Sequence, residues 1–256
     1  MKTIFFLLGI LFLFNSSTVL KPVESKVYSF STTKMEKTVD GGRRVLISGE
    51  TVHLKSFEIL AYTLSPGKVQ KQDQGNPDQE SILLVREGQL RISLNDSDKV
   101  VPEGSLALIM PGEKYRLGNS GKSDLIYYQI NYKSRKPVDF QRGKVAGGSM
   151  LLDWNNIQFK PHDKGGARRY FDRKSAMSEK VEIHVTSLNA ATKSHDPHTH
   201  IPEEIIIMMK GSTEMEIGGG IFTGKPGDIY FLGSNIPHAI RNTGTDQCMY
   251  LAFQWE

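Results

Sequence analysis

Hydrophobic residues in this chain fall mostly into short runs of four to six positions, separated by glycine, proline, asparagine and aspartate. The runs are rich in valine, isoleucine, tyrosine and phenylalanine, and such runs between turn-forming residues are typical of β-strands. Clear examples are Ile82–Val85, Leu106–Ile109, Leu125–Ile130, Ile205–Met209 and Met249–Phe253. No segment beyond the N-terminal region shows a helical period of convincing length. The pattern predicts an all-β protein built from jelly-roll sandwiches or barrels.

One segment alternates apolar and polar residues along its whole length. Between Val181 and Thr186 the valines and the isoleucine share one parity, and Glu182 and His184 share the other. Alternation of this kind predicts a strand with one buried face. The polar face is either exposed to solvent or turned into the interior of a barrel, and parity leaves both open.

The chain also contains an internal repeat of domain size. Gly104 and Gly227 are 123 positions apart (227 minus 104), and the segments that follow them align as far as Asn119 and Asn242. Nearer the N-terminus the offset becomes 124. A repeat unit of about 110 residues is too long for a solenoid and has the size of a domain. We therefore predict two tandem jelly-roll domains, residues 21–140 and residues 141–256, after a signal peptide at residues 1–20.

The N-terminal segment has the features of an export signal. Lys2 precedes an apolar run, Ile4–Phe14, which is followed by small polar residues. A short positive region and an apolar run of this length predict a secretory signal peptide, and the run is short for a membrane span. We expect a periplasmic or secreted protein without stable membrane insertion after cleavage; an uncleaved membrane anchor is the alternative.

Composition and charge exclude some functions. The formal net charge of +4 comes without a dense cluster of lysine and arginine interleaved with aromatic residues, so we expect no nucleic-acid partner. The only cysteine, Cys248, cannot form an internal disulfide, and its strand-like surroundings predict a buried, unreactive thiol. A small-molecule substrate is the expected partner, and a homodimer stays open as the oligomeric state.

Three histidines and a glutamate form the strongest chemical signal. His198 and His200 are two positions apart, so on an extended strand both point to the same face. Glu204 has the same parity, although a proline between them interrupts the alternation, and His238 lies in a later strand-turn-strand pattern. Imidazole and carboxylate ligands suit Mn, Fe, Ni, Cu or Zn better than Ca or Mg. The pattern predicts one divalent transition metal; the alternative is a set of surface histidines in a polar loop.

These residues resemble the two sequence motifs of the cupin superfamily. The matching residues are His198, His200, Glu204 and Gly211 in the first motif, and Gly227, His238 and Asn242 in the second. The second motif departs from the family pattern because Leu232-Gly-Ser replaces Pro-x-Gly. The resemblance covers both halves of the chain and implies a bicupin whose C-terminal barrel holds one metal through the three histidines and the glutamate.

The N-terminal repeat lacks this set of ligands. The repeat offset places Gly75, Pro77, Ser81 and Tyr115 at the four ligand positions, and none is an imidazole or a carboxylate. Glu80 is adjacent to the position of Glu204, but a shift of one residue would turn it to the other face of its strand. We predict no metal in this half and a structural role for it.

Other polar residues are candidates for contact with a substrate. His184 has no counterpart in the N-terminal repeat, where Leu60 stands, and it is our candidate acid/base group; a histidine hydrogen-bonded in the barrel wall is the alternative. Arg168 and Arg169 suit a carboxylate or phosphate, but the repeat also has two arginines there, so a structural ion pair is the other interpretation. Two further candidates for substrate binding are Glu182 and Gln254.

Three functions fit these observations. The first is a metal-dependent enzyme that isomerises, ring-opens or oxidises a small sugar-derived or carboxylate substrate. The second is a non-catalytic module that binds a sugar or metabolite and has a structural metal. The third is a purely structural bicupin, which the retention of all four ligand residues in one half disfavours. Cupin motifs identify the fold and leave the reaction open.

Overall fold

The computed structural model describes residues 20–73 and 75–256. The predicted signal peptide lies, apart from its last residue, outside the described residues. The N-terminal half contains strands β1 (Lys26–Tyr28), β2 (Glu36–Thr38), β3 (Gly41–Gly49), β4 (Leu54–Leu64), β5 (Val69–Asp73), β6 (Glu80–Glu87), β7 (Gln89–Leu94), β8 (Ser97–Pro102), β9 (Leu106–Ile109), β10 (Tyr115–Asn119) and β11 (Leu125–Ser134).

A short helix, α1 (Phe140–Val145), connects the halves, and the C-terminal half repeats the strand pattern. Its strands are β12 (Met150–Leu152), β13 (Phe159–His162), β14 (Gly165–Arg173), β15 (Val181–Leu188), β16 (Glu203–Lys210), β17 (Thr213–Ile217), β18 (Gly220–Gly224), β19 (Ile229–Leu232), β20 (His238–Asn242) and β21 (Cys248–Trp255). Asp139 caps α1 by accepting a hydrogen bond from the backbone N–H of Arg142 at 2.8 Å. Nowhere in the described residues is a helix long and apolar enough to span a membrane.

Each half forms a sandwich of one seven-stranded and one smaller antiparallel sheet. In the N-terminal half the strand orders are β12-β9-β6-β11-β4-β3-β2 and β5-β10-β7-β8. In the C-terminal half they are β1-β19-β16-β21-β15-β14-β13 and β18-β17-β20. This architecture confirms the predicted fold class, two tandem jelly-roll barrels.

The two halves exchange their first strands. Strand β1 pairs with β19, with Val27 opposite Tyr230, and so it extends the C-terminal sheet. Strand β12 pairs with β9, with Leu151 opposite Ala107, and extends the N-terminal sheet. The predicted boundary at residues 140 and 141 stays a prediction, but each large sheet includes one strand from the other repeat.

The largest apolar core lies between the two seven-stranded sheets. Phe57 on β4 stacks on Trp255 of β21 with ring centroids 4.9 Å apart, and Tyr132 on β11 packs against Phe253. Two smaller cores fill the barrels, and Cys248 is buried in the C-terminal one. Burial raises the pKa of the Cys248 thiol to about 11, so the thiol is protonated at neutral pH, and the predicted burial is confirmed.

The strands of the large sheets are buried on both faces, which explains their continuous apolar runs. On β21, Leu251, Phe253 and Trp255 face the core between the sheets, whereas Tyr250 and Ala252 belong to the interior of the C-terminal barrel. The same alternation on β16 and β15 gives each of these strands one set of side chains inside this barrel. The barrel interior is therefore where the chemical groups of the C-terminal half converge.

Candidate metal centre

Backbone pairing brings the two histidine segments together. His198 and His238 form an isolated antiparallel bridge, in which the N–H of each donates to the carbonyl oxygen of the other at 3.2 and 3.1 Å. His238 is the first residue of β20, and Glu204 is the second residue of β16. The backbone N–H of Asn235, in the turn before β20, donates to the carbonyl oxygen of His200 at 2.9 Å, which ties the His200 backbone to this turn.

The four predicted ligand residues lie around one point. The ligand nitrogens of His198, His200 and His238 are all within 4.8 Å of one another. Glu204 Oε2 lies 3.2 Å from His200 Nε2 and 3.5 Å from His238 Nε2. Three imidazoles and a carboxylate at these distances are a donor set that a divalent transition metal can bind.

Hydrogen bonds to the backbone set the orientation of two of the imidazoles. His238 Nδ1 is 2.8 Å from the carbonyl oxygen of Ile236, and His200 Nδ1 is 2.6 Å from that of Pro202. A carbonyl oxygen only accepts, so each Nδ1 carries the proton and each Nε2 presents its lone pair in the neutral ring. This arrangement is common among histidines that bind metals.

The buried atom His238 Nε2 supports a cation at this point. Among the described residues it has no hydrogen-bond partner, although it faces the Glu204 carboxylate. A lone pair and a carboxylate oxygen repel each other unless a proton or a metal ion lies between them. The residues present therefore fit a bound divalent metal.

The electrostatics of the cluster agree with this fit. Burial by itself would raise the pKa of Glu204, but the hydrogen bond with His200 and the charge interaction with the nearby imidazole of His238 lower it to about 2, so the carboxylate is ionised. Burial and the neighbouring imidazoles lower the pKa of His198, whereas the hydrogen bond with Glu204 raises that of His200. Protons and a metal ion compete for the same lone pairs in such a site.

A cavity of about 130 Å³ opens beside the cluster inside the C-terminal barrel. Its lining combines histidines and the Glu204 carboxylate with uncharged polar and apolar side chains. The lining residues are His184, Thr186, Ser194, His195, His198, Glu204, Ile206, Met215, Leu232, His238, Ile240, Tyr250, Ala252 and Gln254. This set contains no lysine or arginine, so a bound substrate would meet imidazoles, the Glu204 carboxylate and neutral hydrogen-bonding groups.

His184 lies in this lining, so the polar face of β15 is turned into the interior of the barrel at this residue. His184 and Thr186 face the barrel interior, and Ile183 and Val185 face the core between the sheets. Burial lowers the pKa of His184, although Glu204 and Glu182 oppose the effect, so the ring is neutral at neutral pH. Within the described residues the buried His184 Nδ1 has no hydrogen-bond partner, and it lies 3.6 Å from Glu182 Oε1.

The remaining candidates for substrate binding divide into two groups. Gln254 lines the cavity. Arg168 instead stacks on the ring of Trp154 at 4.6 Å and donates a hydrogen bond to the carbonyl oxygen of Ile157. Arg169 is exposed and lies 3.4 Å from Glu182 in an ion pair. Neither arginine nor Glu182 is among the residues that line the cavity.

Sequence reasoning did not single out three hydroxyl groups of this lining. Tyr250 has the same parity as Gln254 on the last strand, and burial raises its pKa to about 12, so its hydroxyl stays protonated. Thr186 shares the parity of His184 and could have been found from the alternation of β15. Ser194 lies in an irregular segment, where no periodicity signals its direction.

The equivalent place in the N-terminal barrel holds a network of neutral hydrogen bonds. Tyr115 occupies the position of His238, and its hydroxyl accepts a hydrogen bond from Gln129 Nε2 at 3.1 Å. Ser81 occupies the position of Glu204 and donates to Asn131 Oδ1 at 2.8 Å. These neutral groups are linked by hydrogen bonds, whereas the C-terminal set directs an ionised carboxylate and three imidazoles at one point.

Comparison with known proteins bears on the fold and on the C-terminal half. Residues 184–253 match the model of the cupin domain. None of the curated proteins compared matches the sequence significantly. The chain is similar in structure to protein Ylba from E. coli, with a TM-score of 0.72 and 14% identity, over 94% of this chain and 95% of that chain.

Oxalate decarboxylases are also similar in structure. The enzyme from Lactobacillus farciminis, in a formate complex, has a TM-score of 0.71 and 13% identity over 91% of this chain and 87% of its own. The enzyme from Bacillus subtilis, described with Mn(II) centres, has a TM-score of 0.68 and 12% identity over 91% and 78%. Likeness at such low identity shows a shared fold and carries no activity over to this chain.

Proposed function

We propose that this chain, a cupin with two jelly-roll domains, is a metal-dependent enzyme acting on a small sugar-derived or carboxylate substrate. The metal, one divalent ion of Mn, Fe, Ni, Cu or Zn, would be held by His198, His200, Glu204 and His238. The observation that carries the proposal is the cavity beside this cluster, because it also contains an ionisable residue, His184, that is not among the four ligands. A purely structural metal needs neither the cavity nor that residue.

The chain's own groups supply binding and proton transfer. When bound, the metal would act as a Lewis acid toward a substrate oxygen. Thr186, Ser194, Tyr250 and Gln254 can orient further oxygens by hydrogen bonds, and the neutral ring of His184 can accept a proton. Apolar side chains of the lining, among them Ile206, Met215 and Leu232, would limit the access of water. Isomerisation, ring opening and oxidation are all compatible with this arrangement.

The absence of lysine and arginine from the cavity lining narrows the substrate class. Phosphate groups are usually bound by arginine, lysine or helix N-termini, and the described lining offers none of these. A carboxylate or a pair of hydroxyl groups can instead bind next to the metal and the hydroxyl side chains. The formate complex and the Mn(II) centres described for the two oxalate decarboxylases agree with a carboxylate and with Mn, respectively.

Metal stoichiometry is the first test. We expect one tightly bound ion per chain, because only the C-terminal barrel has the ligand set and the N-terminal barrel has Ser81 and Tyr115 in its place. Elemental analysis of the purified full-length protein, before and after reloading with Mn²⁺, Fe²⁺, Ni²⁺, Cu²⁺ or Zn²⁺, measures this. Two tightly bound ions per chain, or none, would contradict the proposal.

Turnover is the second test. Protein reloaded with each metal is incubated with uronates, other sugar derivatives and small hydroxy- and dicarboxylates, with and without O₂, and products are followed by NMR. We expect turnover that chelation abolishes and the cognate metal restores. Metal-dependent binding of one of these compounds without turnover, measured by calorimetry, would favour the non-catalytic binding module.

We also propose that the protein is exported, on the strength of Lys2 and the apolar run Ile4–Phe14. Cleavage is expected after Phe14, which leaves both domains in the mature chain. Mass spectrometry of the protein recovered from its native host should find the new N-terminus in the periplasmic or extracellular fraction. Recovery of the chain in the cytoplasm with Met1 retained would contradict export.

A further inference from the structure

Glu203, the neighbour of Glu204, contacts the N-terminal half of the chain. The two residues lie side by side on β16 and point to opposite faces, so Glu203 is turned away from the metal cluster and is fully buried. Its carboxylate accepts hydrogen bonds from Thr51 Oγ1 at 2.5 Å, from the backbone N–H of Val52 at 3.0 Å and from that of His53 at 3.1 Å. A loop of the half without metal ligands therefore holds the strand that carries one of them.

The same loop, residues 51–53, also contacts the other end of the segment from His200 to Glu204. His53 Nε2 lies 3.3 Å from the carbonyl oxygen of Ile201, the residue after His200. The loop is itself fixed, because Thr51 Oγ1 accepts a hydrogen bond from the N–H of Leu54 and the Thr51 carbonyl oxygen accepts one from Arg135 Nη2 at 2.8 Å. The segment from His200 to Glu204 is thus held at both ends by residues 51–53.

We propose that Thr51, His53 and Glu203 are positioning residues for the metal, so that the N-terminal half sets the metal affinity of the C-terminal half. The inference rests on the proposed function, because it needs a metal at His200 and Glu204. Metal ligands must be held to within about half an ångström of the productive geometry. Glu204 and Glu203 share a peptide unit, so fixing one carboxylate restricts the backbone that places the other.

The internal repeat provides a matched arrangement without metal ligands. Glu80 corresponds to Glu203 and Ser175 corresponds to Thr51, and Ser175 Oγ donates to Glu80 Oε2 at 2.6 Å. The hydroxyl of Ser175 also accepts the N–H of Ser178 at 3.1 Å, as that of Thr51 accepts the N–H of Leu54. The residue next to Glu80 is Ser81, which has no carboxylate, so the Ser175–Glu80 pair positions no predicted ligand.

The test compares the Thr51–Glu203 pair with the Ser175–Glu80 pair in the full-length protein. Thr51→Val and Glu203→Gln remove hydrogen bonds of the pair next to the metal cluster. Ser175→Ala and Glu80→Gln remove the corresponding hydrogen bonds of the pair in the other barrel. Dissociation constants for Mn²⁺ and Zn²⁺ are measured by competition with a chromophoric chelator, and thermal unfolding of the chelator-treated protein is measured in parallel. We expect metal affinity to fall about 10-fold in Thr51→Val and up to about 100-fold in Glu203→Gln.

The matched variants should bind both metals within about 2-fold of the unmodified protein, whatever their unfolding temperature, because Ser81 is not a ligand. Equal loss of affinity in Ser175→Ala and Thr51→Val would overturn the inference, because it would mean general loosening of the fold. Unchanged affinity in both Thr51→Val and Glu203→Gln would also overturn it. If Glu203→Gln does not fold, His53→Ala replaces it, with a loss of about 3-fold or more expected and unchanged affinity counting against the inference. Failure of the unmodified protein to bind metal would instead remove the proposed function and the inference with it.

Discussion

His238→Ala should abolish tight metal binding, with affinity falling by well over about 100-fold. The reason is that His238 supplies one of only four protein ligands, and even loss of a hydrogen bond that orients a ligand commonly costs about 10–100-fold. Its Nε2 is buried and faces Glu204 at 3.5 Å, so its loss removes one of the two imidazoles that lie against this carboxylate. Competition with a chromophoric chelator and elemental analysis of the dialysed variant measure the loss.

His195→Ala is the matched control. His195 lines the same cavity and packs edge-on against His198 with ring centroids 4.2 Å apart, but it lies outside the group of three clustered histidines. We expect this variant to keep one metal per chain. Metal bound to His238→Ala at the same stoichiometry and affinity as in the unmodified protein would show that the cluster is not the metal site.

Much of the fold followed from the sequence because the chain repeats its strand pattern. The cupin resemblance and the two jelly-roll barrels are confirmed, and the runs such as Ile205–Met209 became strands. The exchange of β1 and β12 between the large sheets was not predicted. Each exchanged strand has only three residues, and its partner strand is distant in the sequence, so no local pattern indicates where it pairs.

Alternation failed to decide which side chains line the barrel where a strand is covered on both faces. On β21, Tyr250 and Gln254 have one parity, and Phe253 and Trp255 have the other. Tyr250, Phe253 and Trp255 are all buried and Gln254 is half-buried, so hydrophobicity could not show which parity faces the cavity. Glu80 was correctly predicted to point to the face of β6 opposite to that of Ser81, the residue at the ligand position. What lies on that side, a second domain, is a matter of tertiary packing that parity alone does not reveal.

The site residues could be predicted to different extents for physical reasons. Residues at a fixed spacing within a short segment stay close together in the folded chain, so such ligands can be predicted from the sequence. The structure brings His198, His200, Glu204 and His238 together around one point. An arginine side chain is long and finds partners several residues away, so Arg168 on Trp154 could not be foreseen from its position in the sequence. Roles for these residues beyond their placement stay predictions.

His184→Gln should lower turnover by about 10² or more and leave metal content unchanged. Glutamine keeps the hydrogen-bonding capacity of the side chain and roughly its bulk, but it cannot accept a proton at neutral pH. Burial already lowers the pKa of His184, so the imidazole in the unmodified protein is in the neutral form that a general base requires. Turnover is measured with the reloaded variant on whichever substrate the unmodified protein converts.

Ser187→Ala on the same strand separates this role from general damage to β15. Ser187 is buried with the parity opposite to His184 and does not line the cavity, so its replacement should leave turnover within a few-fold of the unmodified protein. Full activity in His184→Gln would remove His184 from proton transfer. Loss of metal from that variant would assign His184 to the support of the ligands, since its ring lines the same cavity as Glu204. Loss of turnover with the metal retained is the outcome that a proton-transferring histidine requires.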